Sequence, residues 1–413
     1  MAPARILALL LLAACQPISI AGPDTGVEPE IVDDSAPADD SAPPEDSGEV
    51  VPSALPAIFN DAVLHRIDIS LTSTGVAALD EEPYEWVPAD VVIDGEAVDN
   101  IGLRLRGKIG SFRTMSGKPK FKLDFKEFES DQRFQGLKHL SLNNSVVDCS
   151  YLRETAGYAL FREAGYPASL ASYAQVYVNG EPYGLYVVVE VPDDKFLDRN
   201  FEESGGNLYD GKYLWYGGWN YAMADFTPEA EDNFELEEGE DVGGADLHNI
   251  TLAAREDGSF EERFGEFIDL EQLHRFMLLE QWIGHLDGYT LNTNNYRVYF
   301  RPEDGKAILI HWDLDYAFLT ARSWGFSWSR PEGVVAQICW DDDACRDEQA
   351  AVLATLNPDM QAVLTRIDGY RELIEDAALD DPRRECQSYE VSPDQDSIIA
   401  WLEGSKARLE GAW

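Results

Sequence analysis

Alternating apolar and polar residues predict strands throughout the first half of the chain. The alternation covers residues 64–71, 89–98, 100–107, 120–125, 139–144 and 172–191. A period of two places successive side chains on opposite faces of a sheet, so one face of each segment is expected to line a core. Asp94-Gly95 lies within segment 89–98 and Asn179-Gly180 within segment 172–191, and both pairs are typical of two-residue hairpin turns.

Apolar residues at helical spacing predict helices between and after these strands. The first covers residues 148–164, with Asp148 or Ser150 as the expected N-cap. Others are predicted over residues 269–284, 348–377 and 393–409. Strands dominate the first part and helices the second, which favours an α+β fold. We place the division at residue 191, with a β-rich part at 54–191 and a helical part at 192–413.

The N-terminus has the pattern of a targeting segment. An apolar run from Ile6 to Leu12 is too short to span a membrane and ends in Leu12-Ala13-Ala14-Cys15. This pattern resembles the lipobox of bacterial lipoproteins, in which residues 1–14 would be a signal peptide and Cys15 would carry the lipid. We therefore expect an exported, lipid-anchored protein at the cell envelope, and Gln16 is compatible with the outer membrane. The alternative is an ordinary signal peptide with an incidental cysteine.

Composition excludes some classes of partner. Residues 15–53 lack Lys and Arg and have few large apolar side chains, so we expect a disordered acidic tether. The whole chain has 413 residues, 77 acidic against 32 basic, and a formal net charge of -45. Such a charge repels nucleic acid and suits divalent cations or a basic partner. The oligomeric state is not indicated.

Four cysteines follow Cys15, and an exported protein can pair them in three ways. Cys339 and Cys345 are favoured as one pair because they would close a short loop. Cys149 and Cys386 would then remain for a second.

Acidic and amide residues in the second half have the spacing of a phosphoryl-transfer site. Asp287 is followed five residues later by Asn292, and Asp313 and Asp315 follow in the next hairpin. Protein kinases use this order, with the first Asp accepting the substrate hydroxyl proton and the Asn and second Asp holding magnesium. The alternative is an acidic hairpin in a very acidic protein.

Several segments together resemble the spore-coat protein H (CotH) kinase family. They are residues 104–112, 118–125, 140–168, 176–201, 207–211, 287–300 and 311–318, in that order. The resemblance implies an atypical protein-kinase-like fold, with an N-lobe over 54–191 and a C-lobe over 192–413. It also implies ATP with Mg²⁺ or Mn²⁺ as cofactors, and transfer of phosphate to serines of structural surface proteins.

A basic island could hold the nucleotide that the acidic remainder would repel. It consists of two groups of cations, with Gly107 and Gly110 beside the first: Arg104, Arg106 and Lys108, then Lys118, Lys120 and Lys122. By resemblance Lys122, or its neighbour Lys118 or Lys120, would pair with the phosphates; strand alternation places all three on one face. The alternative is a solvated basic strand face.

Two carboxylates complete the set that the resemblance implies. Glu154 would hold the phosphate-pairing lysine, unless it is a surface glutamate. Glu190 would lie near the adenine, unless it is a buried carboxylate with partners of its own.

Two ambiguities concern the metal ligands. The segment offers Asn292, Asn294 and Asn295, and some members of the family place the key Asn directly before the Tyr, which here is Asn295. Asp315 is either a second ligand beside Asp313 or a helix-capping acid. We therefore expect a surface-anchored Ser/Thr kinase with an unknown protein substrate. The alternatives are a non-catalytic surface scaffold and a nucleotidyl transferase on the same fold.

Overall fold

The computed structural model describes residues 55–217 and 220–411, apart from the side chains of residues 215–217 and 220. The predicted signal peptide, Cys15 and the acidic tether lie outside the described residues. The described residues belong to one compact unit. No helix in the described ranges is both long and apolar enough to cross a membrane.

Seven strands of the first part close into a barrel. They are β1 (Leu64–Ser70), β2 (Val87–Ile93), β3 (Glu96–Arg106), β4 (Lys120–Asp124), β5 (His139–Asn143), β6 (Ala171–Val178) and β7 (Glu181–Val189). Their order is β1-β2-β3-β4-β5-β7-β6, and β1 closes the barrel by pairing in parallel with β6. Closure satisfies the edge strands that an open sheet would leave unpaired. Side chains such as Ile67, Leu103 and Phe121 fill its core.

Both predicted hairpin turns are confirmed. Asp94 and Gly95 connect β2 to β3, with Ile93 paired to Glu96. Asn179 and Gly180 connect β6 to β7. All four turn residues have positive φ, from 50° to 91°. Turns of this kind match the right-handed twist of the flanking strands, and Asn, Asp and Gly adopt them most readily.

Two helices lie between barrel strands of the first part, and the other helices and a small sheet form the second part. The helices are α1 (Ser73–Glu81), α2 (Arg153–Glu163), α3 (Asp194–Asn200), α4 (Ala245–Ala253), α5 (Phe260–Phe264), α6 (Leu270–Ile283), α7 (Tyr289–Asn292), α8 (Val334–Asp341), α9 (Asp343–Thr355), α10 (Met360–Leu379) and α11 (Ser388–Glu410). The strands are β8 (Asn207–Gly211), β9 (Leu214–Gly217), β10 (Asn220–Ala222), β11 (Phe234–Glu238), β12 (Tyr296–Phe300) and β13 (Ala307–His311). Four of these strands form a sheet in the order β11-β8-β12-β13.

Helix α6 begins and ends as predicted, whereas the other three predictions were wrong at their boundaries. The helix predicted over residues 393–409 begins at Ser388 and has Pro393 inside it. Asp269 caps α6 through the N–H of Gln272, and Gly284 ends it with φ +61°. The helix expected over residues 348–377 is two helices, because Pro358 lies between α9 and α10 and Asp359 caps the second.

Helix α2 starts at Arg153, later than predicted. The Asp148 carboxylate accepts N–H bonds from Ser150 and Arg153, and the Ser150 hydroxyl accepts one from Leu152. Both predicted caps therefore stabilise the turn that precedes the helix. The buried face of α2 packs against α10 and beside Leu314.

The segment after α10 returns to the barrel. The buried Asp381 carboxylate accepts bonds from Lys118 Nζ at 2.5 Å, the Tyr151 hydroxyl at 2.9 Å and the Leu185 N–H at 3.1 Å. A disulfide joins Cys149 to Cys386, and a second joins Cys339 to Cys345 as favoured from the sequence. These contacts attach the C-terminal helices to the strand-rich part. The division at residue 191 stays a prediction.

Candidate active site

A cavity of about 790 Å³ lies where the barrel meets the four-stranded sheet and the segment after α6. Its walls combine three kinds of side chain. The cations are Arg104, Arg106, Lys108, Lys122 and Lys212; the carboxylates are Asp210, Glu235, Glu237, Asp287, Asp313 and Asp315; the aromatic residues are Tyr84, Tyr213, Tyr221, Trp312, Tyr316, Trp324 and Phe326. Asn292, Asn294 and Asn295 also line it.

The basic wall comes from β3, β4 and the loop between them. Arg104 and Arg106 alternate along β3 opposite Lys122 and Lys120 of β4. Lys122 has no hydrogen-bond or ion-pair partner in the described part of the chain, and burial lowers its pKa to about 8. Lys108 Nζ lies 3.7 Å from the centre of the Tyr84 ring. This wall therefore offers cationic groups to an anionic ligand.

The glycines of the β3–β4 loop allow it to approach the site. Gly107 and Gly110 have φ of +91° and +92°, a conformation that other residues adopt with strain. A Cβ atom on Gly110 would lie 2.2 Å from the Tyr316 hydroxyl oxygen. Glycine at this position therefore permits the close contact between the loop and the segment that follows Asp315.

Asp287 is positioned by the end of α6 and by two amides. The Glu280 carboxylate accepts the N–H groups of Tyr289 and Thr290 at 2.8 and 2.9 Å, which holds the segment just after Asp287. Asn292 Nδ2 donates to Asp287 Oδ1 at 2.6 Å, and Asn295 Nδ2 donates to Oδ2 at 2.9 Å. Burial raises the pKa of Asp287 to about 6 despite these bonds. Above that pH the group is an oriented carboxylate.

Lys120 lies behind the acidic wall and neutralises it. Its Nζ is 2.9 Å from Asp313 Oδ1 and 2.8 Å from Asp315 Oδ2. Burial and the neighbouring Asp313 charge raise the pKa of Asp315 to about 7. Burial also acts to raise the pKa of Asp313, but the Lys120 and Arg106 cations outweigh it and lower that pKa. Asp313 thus stays ionised at the cavity surface.

The backbone around these residues is strained. Thr293, Asn295 and Asp313 have φ of 48°, 52° and 44°. The left-handed region is tolerated by Asn and Asp but costs more for a β-branched residue such as Thr. Such strain collects at functional sites, where the surrounding structure enforces it.

Glu154 lies near the predicted lysines but bonds to an amide. Its buried carboxylate accepts both bonds from Asn143 Nδ2, at 2.7 and 2.8 Å, and burial raises its pKa to about 8. Asn143 Oδ1 accepts in turn from Arg106 at 3.2 Å. Glu154 therefore positions Arg106 through Asn143, and the expected direct pairing with a lysine is absent from the described contacts.

Two other predicted residues do not reach the cavity. Lys118 precedes β4, and its amine pairs with Asp381, so the prediction that it shares a face with Lys120 and Lys122 was wrong. Glu190 pairs with Arg199 and accepts the Leu170 N–H at 2.9 Å. It corresponds to the alternative of a buried carboxylate with partners of its own.

The structure adds residues that the sequence did not single out. The imidazole of His285, two residues before Asp287, is buried without a hydrogen-bond partner among the described residues, and burial lowers its pKa to about 4. Its position close to the predicted catalytic Asp287 was a usable signal. The sequence offered no such signal for Asp210 of β8 or Glu237 of β11, because carboxylates are common throughout the chain.

The donor set fits a small divalent cation. Carboxylate and amide oxygens are the ligands that Mg²⁺ and Mn²⁺ prefer. Asp313, Asp315, Asn292 and Asn295 all line one side of the cavity, and the Asp313 side chain is 14% exposed. Both candidate amides contact Asp287, so the structure retains Asn292 and Asn295 as alternatives.

Comparison with known proteins agrees with this geometry. A sequence profile described as CotH kinase protein matches residues 103–403, well over half of the chain. The chain belongs to this family. This family membership confirms the α+β, kinase-like fold that was predicted from the sequence. Inner spore coat protein H of Bacillus subtilis (strain 168) is 24% identical over 200 residues, which cover 46% of this chain and 52% of the relative. The chain thus spans about half the length of that relative.

Solved structures give weaker likenesses. Shewanella oneidensis HipA, in a toxin–antitoxin complex with HipB and operator DNA, has a TM-score of 0.35 at 12% identity and covers 88% of this chain and 76% of its own. The Golgi casein kinase with Mn/ADP bound has a TM-score of 0.33 at 11% identity, with coverage of 82% and 77%. Because both scores are below 0.5, the assignment depends on the family match and the site.

Proposed function

We propose that this protein is a metal-dependent kinase that transfers the terminal phosphate of ATP to a Ser or Thr hydroxyl of a protein. One observation carries the proposal. A single cavity is lined by the Asp287 carboxylate, which Asn292 and Asn295 contact, by Asp313, and by Lys122, which has no ion-pair partner among the described residues. Phosphoryl transfer needs such an arrangement of proton acceptor, oxygen ligands and phosphate-binding cations.

Each wall has a separate task in this mechanism. Arg104, Arg106 and Lys122 bind and orient the phosphates, whose charge the rest of the protein would repel. Asp287 accepts the proton of the acceptor hydroxyl and is available as a carboxylate above about pH 6. A divalent cation held by Asp313 and the amide oxygens would neutralise charge on the phosphates.

Lys120 keeps Asp313 and Asp315 together at the cavity edge. It is a positioning residue in this scheme because Asp313 and Asp315 occupy its amine. Lys122 is the better candidate for phosphate contact, since it lines the cavity and has no carboxylate partner in the described ranges.

We further propose that the protein acts at the cell envelope through a lipid on Cys15. The support is the sequence pattern alone, with an apolar run followed by Leu-Ala-Ala-Cys. Cys15→Ser should move the protein from the membrane fraction to the soluble fraction of cells that process lipoproteins. If the variant remains with the membranes, the anchor lies elsewhere.

Nucleotide binding is the first test. A ligand at a hundred times its Kd stabilises the native state by about 2.7 kcal/mol, so ATP with Mg²⁺ or Mn²⁺ should raise the melting temperature clearly. Asp313→Ala should abolish the metal-dependent part of that shift. Asp304→Ala, in the exposed turn between β12 and β13, is a matched control. No shift with any nucleotide would favour a scaffold.

The transferred group is the second test. ATP labelled at the γ-phosphate should label a Ser-containing acceptor protein, while ATP labelled at the α-phosphate should not. Label from the α-position would instead indicate nucleotidyl transfer. Asp287→Asn should lose the γ-label and still bind nucleotide, since the residue contacts the acceptor side in this proposal.

A further inference from the structure

The segment that follows the acidic wall differs in charge from the rest of the chain. Residues 316–331, here called the aromatic strip, contain five aromatic residues, two arginines and no carboxylate. The strip is bounded by Asp315 and Glu332 in a chain with 77 acidic and 32 basic residues. The strip is therefore a segment without acidic residues in an otherwise acidic protein.

The strip leads out of the active-site cavity into a second one. The Tyr316 and Trp324 rings meet edge to face at 4.7 Å, and the Trp324 and Phe326 ring centres are 6.2 Å apart. All three rings line the first cavity. Phe326 also lines a second cavity of about 520 Å³, together with Arg322, Ser327, Trp328 and Trp340. A continuous aromatic path thus joins the two.

The cations of the strip are not used to stabilise the fold. Neither Arg322 nor Arg330 forms an ion pair within 4.0 Å in the part of the chain that the structure describes. Most other arginines of this chain bond to a carboxylate or a backbone carbonyl. No carboxylate lines the second cavity. Two cations beside exposed aromatic surface suit an anionic, partly apolar ligand.

We propose that the aromatic strip binds the acceptor polypeptide, and that it selects a segment with acidic residues and an aromatic side chain beside the acceptor hydroxyl. The proposal rests on the kinase function above, because the strip leads to Asp287 and Asp315 from outside. The aromatic residue enters the second cavity against Trp328, and the acidic residues face Arg322 and Arg330. Outside the strip and the basic wall of the active-site cavity, the predominantly acidic surface repels such a peptide, and the attraction of the strip extends over about one Debye length, roughly 8–10 Å.

Peptide binding without nucleotide tests this directly. Three fluorescent peptides share one Ser and one Phe and differ only in flanking Glu, Gln or Lys residues. Fluorescence anisotropy with the full chain should show the Glu peptide binding about tenfold more tightly than the Lys peptide. The difference should shrink as salt is added. Tighter binding of the Lys peptide would overturn the proposal and indicate that the acidic surface recruits basic acceptors.

Charge reversal locates the interaction. Arg322→Glu with Arg330→Glu should invert the preference for the Glu peptide. Arg255→Glu is the matched control, because Arg255 is exposed and lines neither cavity. Trp328→Ala should weaken the Phe-containing peptide and leave a Phe→Ala peptide unchanged. If the reversed variant keeps the wild-type preference, the strip is not the docking surface.

The two proposals fail separately. Selective peptide binding without any phosphate transfer would refute the kinase function and leave the docking surface in place. Phosphate transfer at equal rates to the Glu and Lys peptides, unaltered in the Arg322/Arg330 variant, would refute the docking surface and leave the kinase function in place.

Discussion

Lys120→Met should destabilise the protein strongly, although Lys120 is not the residue expected to contact phosphate. Its amine is 1% exposed and lies 2.8–3.0 Å from oxygens of Asp313 and Asp315. Methionine fills a similar volume but leaves the two buried carboxylates without their cation. Removing one partner of a buried ion pair typically costs about 3–5 kcal/mol, and we expect a loss in that range.

Lys122→Met provides the internal control on the same strand and face. Lys122 has no ion-pair partner in the described ranges, and burial already lowers its pKa to about 8. Its replacement should leave the free energy of unfolding unchanged or raise it slightly. Both variants remove a lysine amine, at positions two residues apart. A difference between their free energies of unfolding therefore measures the effect of the carboxylates around Lys120.

Urea unfolding followed by circular dichroism measures both variants, with EDTA present so that no cation replaces the lysine. The deficit of Lys120→Met should also depend on pH. Without the cation, the folded-state pKa values of Asp313 and Asp315 lie above their unfolded values. The folded state then binds more protons, so its stability falls as the pH rises above about 4 and recovers on acidification. Equal stabilities of the two lysine variants, or a pH-independent deficit, would refute this reasoning.

Three further predictions concern other parts of the molecule. Gly184→Ala should destabilise the protein by several kcal/mol, because the new Cβ would lie 2.0 Å from Asp381 Oδ1. Gly180→Ala has open space around the new Cβ and should cost only the strain of its positive φ. Equal urea midpoints of the two variants would contradict this prediction. Removing the Cys149–Cys386 bridge should destabilise the protein more than removing the Cys339–Cys345 bridge. The bridges span 237 and 6 residues, for which the chain-entropy relation gives losses of about 5 and about 2 kcal/mol. Calorimetry on each double Cys→Ser variant measures the two losses. The rate of transfer should rise with pH through about 6 as Asp287 ionises, and Asp287→Asn should lower it by about 10²–10⁴-fold; a flat profile between about pH 5 and pH 8 would exclude Asp287 as the base.

Local signals predicted the elements well where the chain itself sets the geometry. The Asp94-Gly95 and Asn179-Gly180 turns were predicted because positive φ favours those residue types at each position. Helix α6 was predicted from its apolar spacing, and its bounds agree because Asp269 and Gly284 cap it locally. The break at Pro358 was missed, since apolar spacing continued across it, and the start of α2 was misplaced because Asp148 bonds within a turn.

The candidate site was predicted in part. Asp287, Asn292, Asn295, Asp313 and Asp315 were found because they lie close together in the sequence, and the structure brings them to one cavity. The roles of the lysines were not resolved, since Lys118, Lys120 and Lys122 have nearly the same local sequence. Their partners differ because Asp381 and Asp313 come from segments more than 190 residues away.

The sequence alone was therefore enough to predict the strands, the turns and the spacing of the candidate Asp287 and Asn292, because each depends on neighbours within a few positions. Only the tertiary structure determines the surroundings of each lysine. Lys118 pairs with Asp381, Lys120 pairs with Asp313 and Asp315, and Lys122 lines the cavity. Charge pairing depends on distances of a few ångströms in space, and separation along the chain does not encode those distances.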